Sequence, residues 1–240
     1  MRDADPDAGV SADVNSGNEI PGAPFPGELM IWLSASFPVG GFAYSQGLET
    51  AIEKGWVTDR LSLSAWLNAL LQHGALKNDL ITLSLIQRAK DESDTRQLIE
   101  LAAALQPSAE RAAEAIGQGR SFIQAYEAAW CDERSPFGSH RAITLPSALA
   151  LAAARHGIAT EATLEAYAIA FLNNLISAAI RLSVVGQFDG QRIVATLLAE
   201  LRLVCADVVE ASENDLGSAT YGADLASMLH ETQTTRLFRS

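Results

Sequence analysis

The chain has 240 residues, 48% of them hydrophobic, and a formal charge of −12. That is enough apolar material for a sizeable core in one large domain or two small ones. The acidic balance argues against a nucleic-acid partner, because phosphate binding needs clustered Lys and Arg, and equally against an anionic membrane surface; basic protein partners or plain solubility suit it better.

In chain order, residues 1–27 are acidic and polar, rich in Asp, Gly, Pro and Ala. They lack the apolar stretch of a secretory signal, which makes the cytoplasm the default location, and they cannot bury enough surface to offset ordering entropy, so disorder is expected. Order begins near ELMIWLSASFP, where Leu29, Ile31 or Trp32, and Leu33 form a short helical face that Pro38 ends. The segment PVGGFAYSQGLE (residues 38–49) then leads into a helix with Leu48, Ala51 and Ile52 on one face and Gly55 as its stop. Thr58 or Asp59 caps a stripe of Leu63, Trp66, Leu67, Leu70 and Leu71, and Asp79 opens another through Leu80, Leu83 and Ile86 or Leu85. Ser93 or Asp94 caps a helix carrying Leu98, Leu101 and Leu105; Ile116, Phe122, Ile123 and Tyr126 mark the next.

CDERSPFGSHRAITLP, with two prolines and a glycine, breaks the periodicity and reads as a long loop. Helical signals resume in SALALAAARHG, stopped by Gly157. They continue from a Thr160 cap to Gly186, and then from an Asp189 cap through Ile193, Leu197, Leu201, Val204 and Val208. The most apolar stretch, Ala162 to Val185, contains Glu165, Asn173, Asn174 and Arg181, which suits a buried amphipathic helix better than a membrane span. No segment alternates with β period between hairpin turns. The expectation is an all-α protein: a single bundle of about eight to ten helices over residues 28–228, after a disordered segment 1–27 and before a tail 229–240.

Candidate chemistry is sparse. Gly40, Gly41 and Gly47 match neither GxxxxGK[ST] nor GxGxxG. Ser45 lies in AYSQG, which lacks the first glycine of a nucleophile elbow, and the surroundings are helical; a helix cap is the better reading of this serine. Asn214, Asp215 and Ser218 resemble part of the magnesium motif of α-helical terpene cyclases, but Gly222 stands where the motif needs Glu and no DDxxD is present. HETQ at His230 lacks the second histidine of HExxH, so His230 and Glu231 read as exposed tail residues. His73 and His156, each beside a glycine, suit helix C-terminal carbonyls. Arg181, a charge inside LISAAIRLSVVG, either snorkels to the surface or is a paired interior or interface arginine. Cys131 and Cys205 show no metal-ligand spacing; two free thiols in a reduced compartment are the plainer reading, with a single disulfide as the alternative. No catalytic, cofactor or metal site is expected, which points to a binding or scaffold protein.

Two distant stretches carry a family resemblance. FPVGGFAYSQGLETAIEKGWV resembles the N-terminal signature of the urease accessory protein UreF family, and MLHETQTTRLFRS its C-terminal signature; AAIRLSVVGQFDGQRI, with Arg181, Gly186, Gln187 and Gln191, fits between them. The resemblance spans roughly residues 28–240. It implies an all-α, non-enzymatic, homodimeric chaperone of urease maturation. Such a protein binds UreD (UreH in some organisms) and recruits the GTPase UreG, so that nickel insertion into the urease apoprotein is coupled to GTP hydrolysis. It also implies a C-terminal tail that orders against UreD. The residues expected at partner contacts are Phe42, Tyr44, Ser45, Glu49, Arg181, His230, Glu231, Gln233, Arg236, Leu237, Phe238 and Arg239. The alternatives are a terpene-cyclase-like enzyme and an unrelated helical scaffold.

Overall fold

The computed structural model describes residues 26–131, 137–138 and 140–240; the expected disorder of residues 1–27 lies outside the described residues except at Pro26 and Gly27, where the first helix already begins. Among the described residues there are ten α-helices and no strand. They are α1 (Gly27–Trp32), α2 (Leu48–Glu53), α3 (Arg60–His73), α4 (Ala75–Gln87), α5 (Glu92–Ala104), α6 (Ala109–Trp130), α7 (Leu145–Arg155), α8 (Thr160–Arg181), α9 (Gln187–Val208) and α10 (Tyr221–His230). Short 3-10 turns occupy Gly41–Ala43 and Glu213–Asp215.

Side-chain caps set several starts. Asp59 accepts from the Ser62 N–H at 2.8 Å while the Ser62 hydroxyl answers the Asp59 N–H, a reciprocal box that begins α3. Asp91, rather than Ser93 or Asp94, caps α5, because its extended backbone lets the carboxylate reach the Asp94 N–H. Ser108 and Thr144 do the same for α6 and α7. Thr160 and Asp189 fall one and three residues inside their helices, behind Ala159 and Gly186. Helix α1 ends at Trp32, short of Pro38, and α4 begins at Ala75, which leaves Asp79 in the middle of a helix.

Helix α4 is the central post. Leu76, Leu80, Ile81 and Leu83 are fully buried, and α3, α5, α7, α8 and α9 pack around it. Helix α8 is long and apolar enough by length and composition to cross a membrane, but it packs as a core helix against α4, α7, α9 and α2. Trp32 ties α1 to the bundle through edge contacts with Phe122, Tyr126, Trp130 and His156. His156 therefore rests on an aromatic cluster instead of at helix carbonyls; its ring centroid is 5.1 Å from that of Trp32. Both cysteines are free, and burial pushes the Cys205 thiol up to about 12.

The core also holds polar groups. The Tyr167 hydroxyl donates to Asp79 Oδ2 at 2.7 Å, and Gln106 reaches the other oxygen at 3.4 Å. Burial raises the Asp79 carboxyl to about 6, against the opposing pull of Arg111 and these two hydrogen bonds. Arg111 pairs with Glu114 one turn along α6, both buried. This buried charge network connects directly to the site below.

Candidate functional site

The segment between α1 and α2 turns sharply. Gly40, Gln46 and Gly47 have φ of 71°, 57° and 80°, so the chain reverses through left-handed residues immediately before α2. At Gly47 the turn also presses on α10: a Cβ there would lie 2.6 Å from the Ser227 backbone nitrogen. The reversal leaves residues 43–45 outside any α-helix, and the C-terminal tail satisfies two of their main-chain groups, the Ser45 N–H and Ala43 O. The Ser45 N–H and hydroxyl both donate to the Ser240 main-chain oxygen, at 2.8 and 2.6 Å, and the Arg239 N–H donates to Ala43 O at 2.9 Å. Ser45 is fully buried and not the helix cap, which is Gly47, although its hydroxyl accepts a 3.3 Å bond from the Glu49 N–H.

Glu49, one residue into α2, takes hold of the tail directly. Its carboxylate accepts from the consecutive N–H groups of Leu237 (2.6 Å) and Phe238 (2.9 Å). His230 Nε2 lies 3.4 Å from the same carboxylate, while Nδ1 lies 2.6 Å from Glu110 Oε2 of α6. The expectation that His230 is an exposed residue is thus overturned: the imidazole is fully buried between two carboxylates from different helices. Glu231 is exposed, as expected, and its carboxylate caps the start of α6 through the Ala109 N–H at 2.8 Å. Arg236 pairs with Glu110, Gln233 accepts from the Thr50 hydroxyl at 2.7 Å, and the Ser240 hydroxyl donates to Glu114.

Arg181 is neither ion-paired, among the described residues, nor interior. It donates to Phe42 O, and its guanidinium lies 4.3 Å from the centroid of the Phe238 ring. Its pKa is lowered by desolvation. Phe238 is only 2% exposed, so its apolar area is buried within its own chain. Leu237 (64%) and Phe42 (69%) face outward, and the Arg239 guanidinium stands 5.8 Å from the Tyr44 ring. All twelve sequence-nominated residues are therefore brought to one region, where the tail lies across the loop and the starts of α2 and α6.

Sequence reasoning passed over Glu110, Glu114, Thr50 and Ser227. The signal was present for the two glutamates: four residues apart, they share a face of α6, acidic opposite a tail that carries Arg236 and Arg239. In the terpene-cyclase-like stretch, Asp215 accepts from the Ser212 N–H and hydroxyl, and the Ser218 hydroxyl contacts Thr220 and Asp224.

Comparison with known proteins bears on this arrangement. The UreF family model matches residues 57–198. The chain is 47% identical over 219 residues to a urease accessory protein UreF of Methylobacterium radiotolerans, covering 88% of this chain and 95% of the relative. Proteins of the same name from Rhodopseudomonas palustris strain HaA2 (45%, 92% of the relative) and Bradyrhizobium diazoefficiens (44%, 90%) each cover 88% of this chain. The chain belongs to the UreF family. Members carry the name of an accessory protein to urease, and the UreF arrangement seen here is one of packing and hydrogen bonding: the Ser45 hydroxyl is closed off by Ser240, and each carboxylate at the tail holds a main-chain group or a side-chain donor.

Proposed function

We propose that this chain is a homodimeric, non-enzymatic adaptor that binds UreD (or UreH) and recruits the GTPase UreG, so that nickel, as cargo, is delivered to the urease apoprotein. The observation that carries the reading is the union of the two signature segments. Ser45 and Ser240, 195 positions apart, are hydrogen-bonded, and around them the loop and tail make a single surface. Next to it, α10 turns Tyr221 (79%), Leu225 (48%), Met228 (50%) and Leu229 (37%) outward at helical spacing. An exposed apolar stripe beside charged groups is the composition of a protein-binding surface. The accessory role in the relatives' printed names supports urease as the destination.

In this reading Leu237, Phe42 and the Arg239 guanidinium meet the partner, whereas Phe238, His230 and Glu49 hold the tail in shape for it. Arg239→Ala should weaken co-purification with UreD and UreG from the same source while far-ultraviolet circular dichroism stays unchanged. Full-strength assembly of that variant, or undiminished urease activity in a strain lacking this protein under limiting nickel, would count against the adaptor.

A further inference from the structure

Behind the loop lies a cavity of about 370 Å³, at the lower end of the range usual for small-molecule pockets. Its apolar side is made by Trp32, Phe37, Val39, Leu145 and Phe171. Besides Asn173, which is exposed, the lining carries three carboxamides held by the fold, Gln46, Gln118 and Asn174. Each turns its amide nitrogen into the fold: Gln46 and Gln118 donate to Glu114 Oε1 at 3.4 and 3.1 Å, and Asn174 donates to Tyr44 O at 3.4 Å. Their carbonyl oxygens have no hydrogen-bond donor among the described residues. Trp32, 1% exposed, also lines the cavity, and its indole Nε1 has no hydrogen-bond partner among the described residues. No Lys, Arg, Asp or Glu side chain is in the lining, so an ion would find no counter-charge at the wall.

We propose that this cavity binds a small uncharged molecule of the primary-amide class, and that the docked tail completes the site. A primary amide matches the wall on two counts: its N–H groups suit the unused carboxamide oxygens, and an apolar body suits the Phe37 and Phe171 side, where the buried Trp32 ring reports on occupancy. The tail enters because wall and tail bed share residues. Gly41, Phe42 and Gln46 line the cavity, and the tail pins the same loop through Ser45 and Ala43. Phe42 O is held by Arg181, which stacks on Phe238, and Glu114, which orients Gln46 and Gln118, is bonded by the Ser240 hydroxyl. Removing the tail therefore frees both the loop and the carboxylate that set the carboxamides. None of this depends on the adaptor role.

The test uses the full chain carrying 5-fluorotryptophan, with the Trp32 resonance assigned by Trp32→Phe and benzamide as the probe. Benzamide should shift the Trp32 signal saturably and leave Trp56, at the far end of α2, in place; benzoate, which is charged and lacks donors, should not. Gln118→Leu and a chain ending at Arg236 should each bind roughly tenfold more weakly or worse, the loss expected when a good hydrogen-bonding wall is removed. Circular dichroism checks that both variants keep their helices. No saturable shift, or equal binding of benzoate, would overturn the amide site. Undiminished binding by the truncated chain would overturn the part given to the tail.

Discussion

The Glu49 carboxylate accepts two consecutive main-chain N–H groups of the tail, and a hydrogen bond to a charged acceptor contributes about 1.5–3 kcal/mol. Glu49→Gln keeps the shape but replaces one acceptor oxygen with a donor, so one of the two N–H groups meets an N–H. Hydrogen exchange at Leu237 and Phe238 should quicken by roughly tenfold or more, while the amides of α4 stay protected. Equal exchange in the variant would remove Glu49 from the tail's anchoring. Asp79 makes a different single-residue case. Burial holds its carboxyl at about 6 in the fold against an ordinary 3.8, so the native state holds the proton more tightly than the unfolded chain does. The resulting stabilisation is complete below pH 3.8 and lost as the pH rises through about 6. Asp79→Asn should therefore raise stability at pH 7 by about 1–3 kcal/mol and change little near pH 4, as read from urea midpoints. A gain of the same size at both pH values would show that this carboxyl does not titrate in that window.

At the scale of elements, the contact between the start of α2 and α10 depends on a missing side chain. Gly47 combines a φ of 80° with backbone 2.6 Å from where a Cβ would sit. Gly47→Val imposes left-handed strain of about 1–3 kcal/mol and forces α2 from α10, so it should lower Tm and loosen the tail together; a loosened tail at unchanged Tm would separate the two effects. The helices themselves were legible in the sequence because burial repeats with helical period: Leu63, Leu67, Leu70 and Leu71 on α3, and Ile193, Leu197, Leu201, Val204 and Val208 on α9 are the buried residues that the stripes predict. Asp79 was not legible. An aspartate before an apolar stripe reads as the place where a helix opens, and the tertiary partners Tyr167 and Gln106 let it sit mid-helix instead. His230 was missed for the same reason, since the two carboxylates that enclose it come from α2 and α6. The signatures led to the loop and tail residues that meet here, but not to Glu110, Glu114, Thr50 or Ser227 nor to any pairing across the chain, because one-off polar contacts leave no period in a sequence.

For the molecule as a whole, the tail is a detachable part. Beyond His230 it contains no helix; its hydrogen bonds and ion pairs go to the loop, α2 and α6, and its contact with α8 is the Arg181–Phe238 stack, so the α4 and α9 packing does not depend on it. Burial of Phe238 contributes about 1.5–3 kcal/mol, and the stack of Arg181 on its ring about 0.5–1 kcal/mol more. A chain ending at His230 should accordingly lose about 2–4 kcal/mol of unfolding free energy and keep its helical signal. The same contacts should then work between molecules. The peptide ETQTTRLFRS, added to the truncated chain, should bind and restore part of the lost stability. Its affinity should be weak, because association costs translational freedom that the covalent chain never loses. Phe238→Ala in the peptide should abolish the restoration, whereas Leu237→Ala, at a position 64% exposed, should not. Equal restoration by both substituted peptides would mean that the tail is held by its main chain alone, and that the buried ring is incidental to docking.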